Sequence, residues 1–180
     1  MRQSIVTPRL ILAPMTVAFL TAALAEDQQR ASAELGAQVP RDWVEANWLI
    51  QLRLSQLESD PALQPWLLRA IIHRTQKTMI GHIGFHDYPG AAYLHAYATA
   101  AAEMGYTIFP AHRRQGYARE AVAALMAWAE TEQGVTQFVL SISPDNLPSQ
   151  RIAAHFGFQR VGQWEDAEDG TEDVFLRIVK

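Results

Sequence analysis

Six consecutive residues, Arg113-Arg114-Gln115-Gly116-Tyr117-Ala118, combine the properties that an anion-binding turn requires. Arg113, Arg114 and the nearby Arg119 bring positive charge. Gly116 permits a positive φ and a close approach of backbone to ligand, and the small Ala118 lets the start of a helix lie against that ligand. A helix start presents about four backbone N–H groups with no intrahelical acceptor and roughly half a positive charge, and the two together favour phosphate. The chemistry is therefore the binding of a phosphate or pyrophosphate. The basic stretch His112-Arg113-Arg114 suits a phosphorylated small molecule better than a duplex. Taken alone, the same residues also suit a plain strand-to-helix turn with a solvated basic cluster. The segment is not a nucleotide P-loop, because no Gly-Lys-Ser/Thr follows, and it lacks the Gly-x-Gly-x-x-Gly dinucleotide fingerprint.

Such a loop needs a strand before it and a helix after it. Residues 103–109 read as a strand stopped by Pro110. Residues 117–133 carry Ala118, Ala121, Val122, Leu125, Met126 and Ala129 at helical spacing, and Gly134 supplies the stop. Upstream, residues 10–12 read as a short strand, and Thr16 is placed to cap a helix over 17–29. Asp42 and Glu45 form a capping-box pattern before a helix carrying Val44, Trp48, Leu49 and Leu52, which should end near Asp60-Pro61. Residues 67–72 and 78–85 are rich in β-branched and apolar side chains and read as strands joined by a turn at 74–77. Asp87-Tyr88-Pro89-Gly90 is a loop signal. Downstream come a strand at 137–142, a short helix at 148–156 stopped by Gly157, and a strand at 158–164. Asp169-Gly170 marks a hairpin turn, followed by a last strand in which Val174, Leu176 and Ile178 alternate with other residues. This order implies an α/β protein whose sheet has both parallel and antiparallel neighbours. No repeat or low-complexity linker interrupts it, so residues 1–180 read as a single domain.

Composition narrows the function. The 180 residues are 49% hydrophobic and 19% charged, enough to bury a real core. The net charge of -4 argues against a nucleic-acid partner. No run of about 18 apolar residues offers a membrane span, and the N-terminal residues lack the apolar stretch of a signal peptide. With no cysteine, disulfides, thiolate metal sites and cysteine-linked intermediates are excluded, and a cytoplasmic location is the simplest expectation.

The loop also resembles a known family. Arg113-x-x-Gly116-x-Ala118 is similar to the Gln/Arg-x-x-Gly-x-Gly/Ala motif of the GNAT acetyltransferases. Glu103-Met104-Gly105-Tyr106 resembles the strand before that motif, and Asn146-x-x-Ser149 with Gly157-Phe158 resembles the family's strand end and final helix. Thr7-Pro8-Arg9-Leu10 looks like the opening of the branch that includes the ribosomal-protein N-terminal (RimJ/RimL-like) acetyltransferases. The resemblance spans nearly the whole chain. It implies a GNAT fold, with a mixed and mostly antiparallel central sheet, a splayed strand pair and flanking helices. It implies acetyl-CoA as acyl donor and a primary amine, on a protein N-terminus or a small molecule, as acceptor. A non-catalytic CoA-binding or sensor module of the same fold is the alternative. Dimers are common among similar proteins, so a homodimer belongs to the expectation.

Residue by residue, the resemblance implies that backbone of Tyr106, Thr107 and Ile108 pairs with the pantetheine arm. The amides of Arg114, Gln115, Gly116, Tyr117, Ala118 and Arg119 would hold the pyrophosphate, Arg113 would add charge, and Asn146 would contact the CoA arm, although a turn-forming role explains Asn146 equally. Direct transfer in a ternary complex needs a deprotonated amine, an oxyanion donor and a leaving thiolate. A strand-edge N–H near Thr107 or Ile108 suits the oxyanion. Glu103 is the candidate base, acting directly or through water, and burial beside residues 100–102 and Met104 is expected to raise its pKa. Ser149 is the candidate acid, because Ala153 stands where many relatives carry a tyrosine.

Three weaker signals remain. Tyr93, His95 and Tyr97 alternate with apolar residues, would share one face of an extended segment, and are candidates to line the acceptor pocket. His82 and His86 would share a strand face, but without an evident third ligand no metal site is expected. Glu165, Asp166, Glu168, Asp169, Glu172 and Asp173 surround the Asp169-Gly170 turn, as a solvated hairpin or as a lip attracting a cationic amine.

Overall fold

Short apolar and β-branched runs and segments of helical periodicity produce an α/β chain. The structure, a computed structural model, describes residues 4–44, 46–166 and 170–179. Its strands are β1 (Ile5–Val6), β2 (Leu10–Pro14), β3 (Arg69–His73), β4 (Thr78–Phe85), β5 (Ala102–Ile108), β6 (Gln137–Ile142), β7 (Gln159–Asp166) and β8 (Gly170–Ile178). Its helices are α1 (Val17–Leu24), α2 (Gln28–Leu35), α3 (Arg41–Val44), α4 (Asn47–Ser59), α5 (Tyr117–Gln133) and α6 (Leu147–His155). The strands form one mixed sheet in the order β1-β2-β3-β4-β5-β6-β8-β7. The chain divides into two compact units, residues 1–84 with 106–125, and residues 85–105 with 126–180.

In the first unit, β1, β2, β3 and β4 pair antiparallel in sequence order, with an irregularity between Ile71 and Ile72. Phe19, Leu20, Trp43, Ile50 and Leu57 from the helices pack with Leu67, Ala70 and Met79 into its core. The helix expected over 17–29 is two helices. Glu26 adopts a left-handed φ of 56°, and the Asp27 side chain accepts from the Arg30 amide at 2.9 Å to cap a new helix. A side chain that caps competes with continuation of the first helix. Thr16 caps α1 as expected, accepting from Phe19 N–H. The capping-box reading fails: Asp42 lies inside α3, and α4 starts after Ala46 with no side-chain cap. Glu45 lies outside the described residues. The buried stripe of α4 is also not the one expected. Ile50, Arg53 and Leu57 face inward, while Trp48 is 59% and Leu52 42% exposed. Apolar residues surround this helix, so periodicity alone does not single out a face.

In the second unit, β6 pairs antiparallel with β8 and β8 with β7. β5 runs parallel to β6, in register at Ala102 with Phe138 and Glu103 with Val139. Phe85 packs against Trp128 and Phe138. A satellite cluster of Leu94, Ala101, Val139 and Val174 lies under the 86–101 loop, with Tyr97 and Trp164 against it. Of the acidic hairpin, residues 167–169 lie outside the described residues. Glu165 accepts from Thr171, Glu172 from Trp164, and Asp173 pairs with Arg160 at 2.7 Å. These acids are engaged within the hairpin itself.

Candidate functional site

The loop 113–119 belongs to the first unit. β5 ends where Phe109 N–H donates to Ile80 C=O. At Gly81 the two backbones lie so close that an added Cβ would overlap the Thr107 carbonyl oxygen. Pro110–His112 forms one 3-10 turn. Arg113 then folds back, its Nε donating to Ile108 C=O at 2.9 Å. Arg114 and Gly116 both adopt left-handed φ, 62° and 80°. Alternating backbone of this kind turns successive N–H groups toward a common concavity. The arginine at such a φ is strained, a feature that concentrates at ligand sites. Glu120 N–H is the first amide of the following helix to find a carbonyl, that of Gly116 at 3.1 Å. Among the described residues, the amides of 114–119 carry no hydrogen-bond partner. They are therefore available to a phosphate.

Arg9 braces this loop. Its Nη1 donates to Gln115 C=O at 2.9 Å, its Nε to Glu120 Oε2 at 2.6 Å, and its backbone N–H to Glu120 Oε1 at 2.9 Å. Its guanidinium lies 4.6 Å from the centre of the Tyr117 ring. Thr7 Oγ1 donates to Glu120 Oε1 at 2.6 Å. A trans peptide points its C=O and N–H in opposite directions, so the bond from Arg9 to Gln115 C=O turns the Gly116 N–H away from Arg9. Burial works to raise the Glu120 pKa. The Thr7 hydroxyl, the Arg9 amide and the Arg9 guanidinium outweigh it and hold that carboxylate below its ordinary range.

Glu103 lies in the second unit and is 4% exposed. Ser141 Oγ donates to its Oε1 at 2.5 Å, and Oε2 lies 3.1 Å from His86 Nδ1. The Tyr93 hydroxyl also bonds the carboxylate. Burial works to raise the pKa of Glu103, as expected from its neighbours, but the bond and charge of His86 and the bonds from Ser141 and Tyr93 win, and the net direction is down. The expected rise is thus reversed, because a buried carboxylate with three donors is stabilised as the anion.

The segment holding Tyr93, His95 and Tyr97 is not extended. Ala92–Leu94 is a 3-10 turn. Tyr93 and Tyr97, one turn apart, both pack on Trp164 with ring centres 5.9 and 6.0 Å away, and Tyr97 donates to Gln163 C=O at 2.7 Å. His95 turns elsewhere, its Nε2 lying 3.0 Å from Gly90 C=O. Asn146 caps α6, its Oδ1 accepting from Ser149 N–H at 3.2 Å, which places Ser149 in the first turn of that helix. Ala153 is fully buried. His82 is half-buried, its ring against Trp43 and Phe109. Burial first, and Arg53 second, lower its pKa to about 4, so the ring is neutral. Among the described residues, no three His, Cys, Asp or Glu side chains group as a metal site, and no helix is long and apolar enough to cross a membrane.

The sequence profile of the acetyltransferase (GNAT) domain matches residues 9–159. The chain belongs to the GNAT acetyltransferases. It is 32% identical over 92 residues, 51% of the chain, to the uncharacterized N-acetyltransferase YnaD of Bacillus subtilis (strain 168). The match covers 49% of that relative, so the chain spans about half the length of this curated relative. Among solved structures, it resembles a protein from Bordetella pertussis described as a GnaT-family acetyltransferase, with a TM-score of 0.71 and 25% identity, covering 98% of this chain and 99% of that one. It also shares the fold of RimL, a ribosomal L7/L12 alpha-N-protein acetyltransferase in complex with coenzyme A, with a TM-score of 0.67, 19% identity and 98% coverage of each chain.

In the sequence of this GNAT chain the loop and Glu103 stand out as candidates, while the residues that support them do not. Arg9 and Glu120 carried a readable signal only in part, since Thr7-Pro8-Arg9-Leu10 stood out without a partner. In the sequence His86 pairs by spacing with His82. Nothing local announces its bond to Glu103, 17 residues away, or that of Ser141, 38 residues away.

Proposed function

We propose that this GNAT chain is an acetyl-CoA-dependent N-acetyltransferase, acting as one domain on a primary amine by direct transfer in a ternary complex. The observation that carries this reading is the loop 113–119 inside the matched domain: two left-handed residues, a helix start and a run of open amides. That arrangement fits a pyrophosphate, and the family supplies acetyl-CoA as its owner. In this reading the amides of 114–119 hold the pyrophosphate, backbone of Tyr106, Thr107 and Ile108 receives the pantetheine arm, and Asn146 contacts it from the start of α6. The acid–base centre is built on Glu103, and Ser149 assists the leaving sulfur. The N–H near Thr107 or Ile108 stabilises the oxyanion.

The acceptor is an amine on a protein N-terminus or a small molecule. The likeness to an alpha-N-protein acetyltransferase supports including protein N-termini, and Tyr93, Tyr97 and Trp164 form the aromatic wall on which such a group would rest. His95 belongs to the same loop but turns to the Gly90 carbonyl, outside that wall. The absence of cysteine from the sequence is consistent with direct transfer. We place the enzyme in the cytoplasm, with no nucleic-acid or membrane partner and with a homodimer as the candidate assembly. The test is incubation with acetyl-CoA and a panel of small amines and peptides with free N-termini, read by mass spectrometry. The expected product is heavier by one acetyl group. Tight acetyl-CoA binding with no acetylated product on any acceptor would overturn the enzymatic reading.

A further inference from the structure

We propose that His86 takes the proton from the acceptor amine at Nε2, and that the buried Glu103 is a positioning residue holding the imidazole by its other nitrogen. The inference rests on the acyl-transfer reading and deepens it. Three observations carry it. Glu103 is enclosed: it is 4% exposed, with one oxygen on Ser141 and the other on His86. His86 is the more open member of that pair, its side chain 39% exposed against 3% for Glu103. The sequence also makes room for the ring. Gly105 lies two residues beyond Glu103 on the same face of β5, and an added Cβ there would stand 2.7 Å from His86 Nε2.

The direction of proton flow follows from the partners. Ser141 and Tyr93 donate to the Glu103 carboxylate, which is held in its ionised, acceptor-only form. Nδ1 of His86 must then carry the hydrogen in that bond, which leaves the lone pair of the neutral ring on Nε2. A buried anion behind the ring stabilises the imidazolium that forms, the arrangement by which a third group orients a general base. A carboxylate enclosed by three donors is a weaker base than an imidazole and less accessible to an ammonium. In the step itself, the ammonium gives one proton to Nε2 and the neutral amine attacks the thioester carbon. The C–N bond forms and the C–S bond breaks. The second amine proton leaves with the sulfur as the thiol, and the imidazolium returns its proton to water.

The polar groups around this imidazole are Glu103 on β5, with Ser141 of β6 and Tyr93 of the 3-10 turn behind it, and Asp87 next in the chain. Kinetics on an amine accepted by the parent test the proposal. His86→Gln should lower kcat by about 100-fold or more while CoA affinity stays within about twofold. Added imidazole should restore part of the rate to His86→Ala. Glu103→Gln should lower kcat while CoA affinity stays within about twofold, because the ring loses the carboxylate that holds it. Gly105→Ala keeps every polar group and only displaces the ring, so its turnover should fall with little change in melting temperature. A folded His86→Gln with parental kcat and pH profile, or a Gly105→Ala with parental turnover, overturns the assignment. Nitrogen NMR on histidine-labelled parent protein decides even if the variants misfold: a hydrogen on Nδ1 supports the proposal and a hydrogen on Nε2 of the neutral ring overturns it. A parent that acetylates nothing would remove the transfer reading and this proposal with it. A parent that transfers beside an equally fast His86→Gln removes this proposal alone.

Discussion

Placing an aspartate at Gly116 separates what the loop does for the fold from what it does for the ligand. Gly116 has φ 80°, and a Cβ built there would stand 3.4 Å from Arg9 Nη2. In the folded protein the substitution costs on the order of 1 kcal/mol for left-handed backbone. The new carboxylate can recover part of that by pairing with Arg9, so melting should change by only a few degrees. For a bound pyrophosphate the change is different in kind. Two like unit charges at about 4 Å repel by about 4 kcal/mol at an effective dielectric of 20, and by about 1 kcal/mol in bulk water. Gly116 is exposed, so the effect lies between these limits. CoA affinity should fall by more than tenfold, about 1.4 kcal/mol or more. Calorimetric titration with CoA measures it. The deficit should shrink as salt rises, because screening weakens a charge effect but not a steric one. Gly116→Ala, with the same Cβ and no charge, should lose less affinity. A folded Gly116→Asp protein that binds CoA within about threefold of the parent would remove the phosphate-loop assignment.

Arg9→Gln removes the brace on the Gln115 carbonyl, a charged hydrogen bond worth about 1.5–3 kcal/mol. CoA affinity should fall by roughly tenfold, and Arg9→Lys should rescue little, since one ammonium cannot reproduce the fork. Ser149→Ala should lower turnover by about tenfold to a hundredfold, less with a more acidic thiol as leaving group; a defect wholly in CoA affinity would show that Ser149 positions the ligand instead. Asn146→Ala combines a lost cap, about 1 kcal/mol of stability, with weaker CoA binding. Asn146→Ser keeps a capping oxygen and should restore the melting temperature but not the affinity. The lowered pKa of Glu120 means that its ionised form stabilises the fold above the ordinary carboxylate pKa of about 4.3. That contribution is lost as pH falls through the folded value. Glu120→Gln should therefore melt lower than the parent at neutral pH, with the gap closing in acid; a gap that is constant with pH would show that the Thr7 and Arg9 bonds do not depend on the charge.

What the sequence determined by itself is local. The strand β4, the helix α5 and the strand β6 fall on the residues that period and punctuation marked, because hydrophobic spacing and Gly or Pro stops act over a few residues. The candidate loop 113–119 was legible for the same reason, since its arginines, its glycine and the helix start are contiguous. Where local signals competed, the chain needed its tertiary context: the break at Glu26 and the buried face of α4 depend on what the helices pack against. The supports of the site were beyond local reading altogether. Arg9 meets Glu120 across 111 residues of sequence. Glu103 was visible as a carboxylate on a strand, but the direction of its pKa was set by His86, Ser141 and Tyr93, which only folding delivers to it. Burial alone pushes a carboxylate toward its neutral form; three donors arranged around it push further the other way, and no spacing in the sequence encodes that balance.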